Sequence, residues 1–151
     1  MSGPGPVLIV GFGNPLRGDD AAGLRLIEAL ETAGRPAGVE TLAVHQLTPE
    51  LAERVAAARA VVFVDAACTE EPAALRLLEA PPFDGPPPGH HYSPASLLQL
   101  TRLTFGVLPP AWLLTLPAAD FAFGAPLSPR AVGAVEAGRK LLVIWLQAWT
   151  A

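Results

Sequence analysis

What most constrains this chain is an alternation. Short, continuous apolar runs take turns with segments of helical periodicity. Residues 6–12, Pro-Val-Leu-Ile-Val-Gly-Phe, form a brief apolar run ending in glycines, the pattern of a strand buried on both faces of a parallel sheet. Residues 21–33 then place Leu24, Ile27 and Leu30 on one face with Glu28 and Glu31 turned away, and Gly34 stops the run, which predicts an amphipathic helix. Val39–Val44 is a second strand candidate. Thr48-Pro49 has the signature of a helix start, with Thr48 as N-cap and Pro49 at the first helical position. Residues 60–67, with Val61, Val62, Phe63 and Val64, make a third buried strand. The first 67 residues therefore read βαβαβ, which predicts an α/β fold with helices packed on a mainly parallel sheet.

Beyond this unit the pattern loosens. Residues 74–79 suit either an edge strand or one helical turn, and 81–89 form a proline-glycine loop. Residues 94–103 read as a helix capped by Ser93, 112–116 as another buried strand, and 130–149 as a closing helix announced by Ser128-Pro129. That totals about five strands, a usual sheet size. A length of 151 residues fits one domain spanning 1–151, and neither a repeat nor a linker divides it.

Composition removes several functional classes. The hydrophobic fraction of 51% against 16% charged excludes a disordered chain. Lys140 is the only lysine and the arginines are scattered, so no basic stripe exists for nucleic acid. The single cysteine, Cys68, rules out an internal disulfide and any CxxC metal or redox motif. It lies three residues past Asp65 with no histidine partner for a thiol protease, and it reads as a small buried hydrophobe. The longest apolar stretches are interrupted by Arg59 and Asp65 and fall short of a membrane span. No charged region precedes Val7, so the amino terminus does not read as a signal peptide, and a cytoplasmic location is expected.

Ligands of open α/β sheets gather at the carboxyl ends of the strands. Three segments bring polar groups there: the loop 11–20 with its adjacent Asp19 and Asp20, Asp65 at the end of the third apolar run, and His90-His91. Gly11 and Gly13 suggest a dinucleotide loop, but the third glycine is missing, Leu16 standing in its place. Two carboxylates would also repel a pyrophosphate at the helix start. Asp19 or Asp20 can cap the helix while the other faces the cleft. Asp65, following four apolar strand residues, needs a partner or a cation. The histidines, taken singly, read as exposed loop residues. Two carboxylates and an imidazole together make a mixed oxygen/nitrogen set suited to a divalent transition metal, with positions left open for water or another protein's ligands.

The run Gly11-Phe12-Gly13-Asn14-Pro15-Leu16-Arg17-Gly18-Asp19-Asp20-Ala21-Ala22-Gly23 resembles the GxGNxLxxD(D/E)xxG opening of the nickel-iron hydrogenase maturation proteases. The blocks His45-Gln46-Leu47-Thr48-Pro49-Glu50-Leu51 and Val61-Val62-Phe63-Val64-Asp65-Ala66 look like that family's second and third segments. Residues 114–117 and Gly124-Ala125-Pro126-Leu127-Ser128-Pro129 resemble its carboxy-terminal part. Ala21 departs from the glycine common after the acidic pair, and 81–89 is unusually rich in proline.

The resemblance implies a twisted five-stranded α/β/α sandwich. It also implies an endopeptidase that removes the carboxy-terminal extension of a hydrogenase large-subunit precursor once nickel is inserted. The family's metal-site residues carry over to Asp20, Asp65 and His90, with His91 as the alternative, and the two aspartates carry over as the catalytic pair. Nickel arrives with the substrate, another divalent metal can occupy the isolated protein, and the protease is expected to act as a monomer. Gly11, Gly13 and Asn14 are expected to shape the first loop, and Gly124 and Pro126 another beside the cleft. Two other readings stand beside it: a nickel-dependent checkpoint or chaperone that binds the large subunit without cutting, and a nucleotide- or phosphate-binding protein.

Overall fold

The computed structural model describes residues 4–80 and 92–150. β1 (Val7–Phe12) passes through a 3-10 turn (Gly18–Ala21) into α1 (Ala22–Ala33), and β2 (Val39–Val44), α2 (Leu51–Ala57) and β3 (Ala60–Cys68) follow. After them come β4 (Ala74–Leu77), α3 (Pro94–Phe105), β5 (Ala111–Ala118) and α4 (Pro129–Thr150). The strands form one five-stranded sheet in the order β2-β1-β3-β5-β4. All neighbours are parallel except β4, which lies antiparallel on the β5 edge. The alternatives for 74–79 resolve to that edge strand, where charged Arg76 and a short length suit an unpaired border.

The apolar runs are buried on both faces because helices cover both. Val7 and Ile9 of β1 and Val62 and Val64 of β3 pack with α1 and α4, whereas Leu8, Val10, Val61 and Phe63 pack with α2 and α3. This is a three-layer α/β/α sandwich. The expected face of α1 is the observed one: Leu24, Ile27 and Leu30 are buried, Glu28 is exposed.

The cap signals decode well at α3. Ser93 and Ser96 form a reciprocal capping box, Pro94 opens the helix, and Gly106 closes it in the left-handed conformation. At α4 the Ser128 hydroxyl accepts the Ala131 N–H at 3.2 Å. α2 differs from expectation. It begins at Leu51, and residues 48–51 instead make a turn in which the Leu51 N–H bonds the Thr48 carbonyl at 3.1 Å. Trp145 and Trp149 on α4 pack against Trp112 of β5, with centroids 5.1 and 5.6 Å away, so the aromatic tail joins the core as expected. Among the described residues, no helix is long and apolar enough to cross a membrane.

Candidate active site

The strand order places a switch point between β1 and β3. From β1 the chain passes to β2 on one side and then, through α2, to β3 on the other. The connections leave in opposite directions there and open a crevice at the carboxyl ends. Asp20 lies in the turn after β1, and Asp65 on β3 itself, on the two strands that flank the switch point.

Asp65 does not end its strand, as the apolar run suggested. β3 continues to Cys68, and Asp65 pairs in register with Thr115 of β5. By the alternation of a strand it shares the face of Val61 and Phe63. Burial, together with the negative charge of Asp20, pushes its carboxyl up to about 6, against a weaker opposing hydrogen bond from Ala66. The two carboxylates thus feel each other across the crevice, which makes the pair receptive to a cation or a shared proton.

Asp20 is held by its own loop. The Asn14 N–H donates to its Oδ2 at 2.7 Å, while Asn14 Oδ1 accepts from the Leu16 N–H at 2.9 Å. Asn14 therefore folds the loop with its side chain and positions the carboxylate with its backbone. Gly13 makes room for this at φ +152°, where a Cβ would lie 1.9 Å from the Asp20 carbonyl oxygen. Gly11 serves differently from the conformational role expected of it. Its φ is not positive among the described glycines, and it is needed because a Cβ would meet the Gly23 carbonyl oxygen at 2.5 Å.

Helix capping fails for both aspartates of the pair: the residue at the N-cap of α1 is Ala21, and no side chain bonds the first turn. Asp19 is instead fully buried. Its carboxylate accepts the N–H groups of Ala119, Asp120 and Ser128 at 2.7, 3.0 and 2.7 Å, and the Ser128 hydroxyl at 2.6 Å. Burial alone would raise its pKa, but the bonds from Ser128, Ala119 and Asp120 together hold it below the ordinary carboxylate value. Asp19 is the peg fastening the site turn to the end of β5 and the start of α4. Sequence reading missed this, because the donors sit about a hundred residues away; only the pairing of Asp19 with an adjacent second acid hinted at two separate duties.

His90 and His91 lie outside the described residues. Tyr92, which follows them, bridges to Leu47 just past β2, and so sits by the carboxyl edge of the sheet. Among the described residues no group of three His, Cys, Asp or Glu side chains comes together as a metal site. Cys68 is exposed at the end of β3, contrary to the buried position expected of it, because the strand runs past the core there. Gly124, at φ +75°, donates its N–H to the Leu16 carbonyl at 2.9 Å, so its loop does border the crevice.

The mainly parallel sandwich has the fold of the hydrogenase maturation proteases. A nickel-iron hydrogenase maturation protease, HycI from Thermococcus kodakarensis KOD1, matches with a TM-score of 0.73 at 22% identity, covering 97% of this chain and 95% of its own. The hydrogenase maturating endopeptidase HybD from E. coli gives 0.73 at 25% identity, over 95% of this chain and 93% of its own. A hydrogenase 2 maturation peptidase from a Thaumarchaeota archaeon gives 0.69 at 22%, over 93% and 97%. No protein-family model matches the chain, and no curated protein matches it by sequence.

Proposed function

We propose that this protein is an endopeptidase that trims the carboxy-terminal extension from a nickel-iron hydrogenase large-subunit precursor after nickel insertion. The observation that carries the reading is the Asp20–Asp65 pair at the switch point of a maturation-protease fold, close enough for the charge of one to raise the other's pKa. The substrate supplies the nickel, and its charge offsets the repulsion between the carboxylates. His90, or His91 in its place, completes the oxygen/nitrogen donor set. An apo precursor lacks that bridging charge, so the site tests for loaded metal before the chain is cut. Asp20 and Asp65 hold the nickel-bearing segment and orient a water towards the scissile carbonyl.

The test is the intact mass of a nickel-loaded precursor after incubation with the protein, beside an apo precursor and an Asp20→Asn variant. Loss of one discrete carboxy-terminal peptide is expected only with nickel and only with Asp20 intact. A stable complex with unchanged mass would replace this reading with that of a non-cleaving checkpoint.

A further inference from the structure

Leu16 and Phe123 are 65% and 72% exposed, although each is a large apolar side chain. Single exposed hydrophobes are ordinary on a protein surface. These two belong to different loops that the structure ties together. The Gly124 N–H bonds the Leu16 carbonyl at 2.9 Å, the Asp19 N–H bonds the Asp120 carbonyl at 2.8 Å, and Arg17 Nε reaches the Phe121 carbonyl at 3.3 Å. The Arg17 guanidinium also stands 5.3 Å above the Phe123 ring, a cation–π contact that favours this placement of the ring. The loop carrying Leu16 is the one whose Asn14 holds Asp20, and the loop carrying Phe123 is pegged by Asp19. The result is a braced apolar rim on the same turn as the candidate catalytic carboxylate.

We infer that the Leu16–Phe123 rim is a specificity element that docks a large apolar side chain of the polypeptide being cut. The inference rests on the proposed endopeptidase reading and names one feature of its substrate. Because Leu16 lies two residues from Asn14, whose N–H holds Asp20, the polypeptide held at Asp20 is the occupant this rim fits. Burial of one such side chain contributes enough to change affinity about tenfold or more. The bonds that join the two loops reduce the ordering entropy that opposes binding. The rim touches no reacting atom, so its effect falls on substrate affinity and not on the chemical step.

Steady-state cleavage of the nickel-loaded precursor tests this with Leu16→Ser, Phe123→Ser and the double variant. Ile144→Ser serves as control, since Ile144 is equally exposed at 65% but lies on α4. The double variant is expected to raise KM about tenfold or more with kcat within about twofold, and to keep the wild-type melting temperature. An unchanged KM, an equal rise in Ile144→Ser, or a loss confined to kcat would overturn the inference while leaving the endopeptidase reading intact. Wild type that leaves the precursor whole would overturn the endopeptidase reading and this inference with it. A dimer of the wild type that the double variant abolishes, with cleavage unaltered, would make the rim a self-contact and overturn the inference.

Discussion

Asp19 and Asp20 are neighbours of the same chemical type with opposite duties, and their surroundings decide which does what. Asp19 satisfies three backbone N–H groups and a hydroxyl in a fully buried position. Asp19→Ala leaves those donors unpartnered and is expected to destabilise by about 3 kcal/mol or more, read from the midpoint of urea unfolding. As its folded pKa is lowered, its stabilising contribution is complete above the ordinary value of 3.8 and fades as pH falls further. Asp65 behaves in the reverse sense. Its carboxyl is raised from 3.8 to about 6, so between those values the folded chain holds a proton that the unfolded chain has released. Stability is therefore lost as pH rises through about 6, by up to about 3 kcal/mol. Asp65→Asn is expected to be more stable than wild type at pH 8, with the gain shrinking towards pH 4, and to be inactive in the cleavage assay. Equal stability curves for the two proteins would refute the raised pKa.

Elements meet the site through close backbone approach. α1 lies against β1 and β3 where Gly11 and Gly23 face each other, and a Cβ on Gly23 would sit 2.8 Å from the Val64 carbonyl oxygen. Gly23→Ala is expected to lose about 1–3 kcal/mol in chemical denaturation. It should also lower cleavage, because pushing α1 outward carries Asp20 away from Asp65. At the other layer Ser93 caps α3 through a reciprocal pair with Ser96, so Ser93→Ala should cost about 1 kcal/mol by the same measurement. Both glycines stand in the motif quoted from the sequence. The motif displays their spacing, whereas the steric reason for Gly23 appears only when β3 is laid beside it.

At the scale of the molecule, one sheet joins the two helical layers, and the chain's three tryptophans gather between β5 and α4. Arg59, just before β3, donates to the Trp149 carbonyl at 2.6 Å and ties the end of α4 back to the sheet. Tryptophan fluorescence and far-UV circular dichroism are thus expected to report one coincident urea transition. Separate midpoints would contradict the expectation of a single cooperative domain.

The sequence alone marked the elements near the amino terminus, because continuous apolar runs buried on both faces and helices with period-three-to-four burial leave distinct patterns. It also made the caps at Ser93 and Ser128 legible, since cap chemistry is local, and it singled out Asp20 and Asp65, although Asp65 lies within β3 and not at its end. Its local logic failed where partners are remote. Asp19 looked like a helix cap because its donors at 119, 120 and 128 are invisible at short range. Cys68 looked buried because the extent of β3 depends on β5 pairing with it as far as Ala118. Residues 74–79 stayed ambiguous because six residues carry too little period to separate a strand from a helical turn. Only the tertiary structure brought Asp20 near enough to act on Asp65 and tied the loop of Leu16 to that of Phe123, since the strand order is set by packing across the whole sheet and not by any single segment.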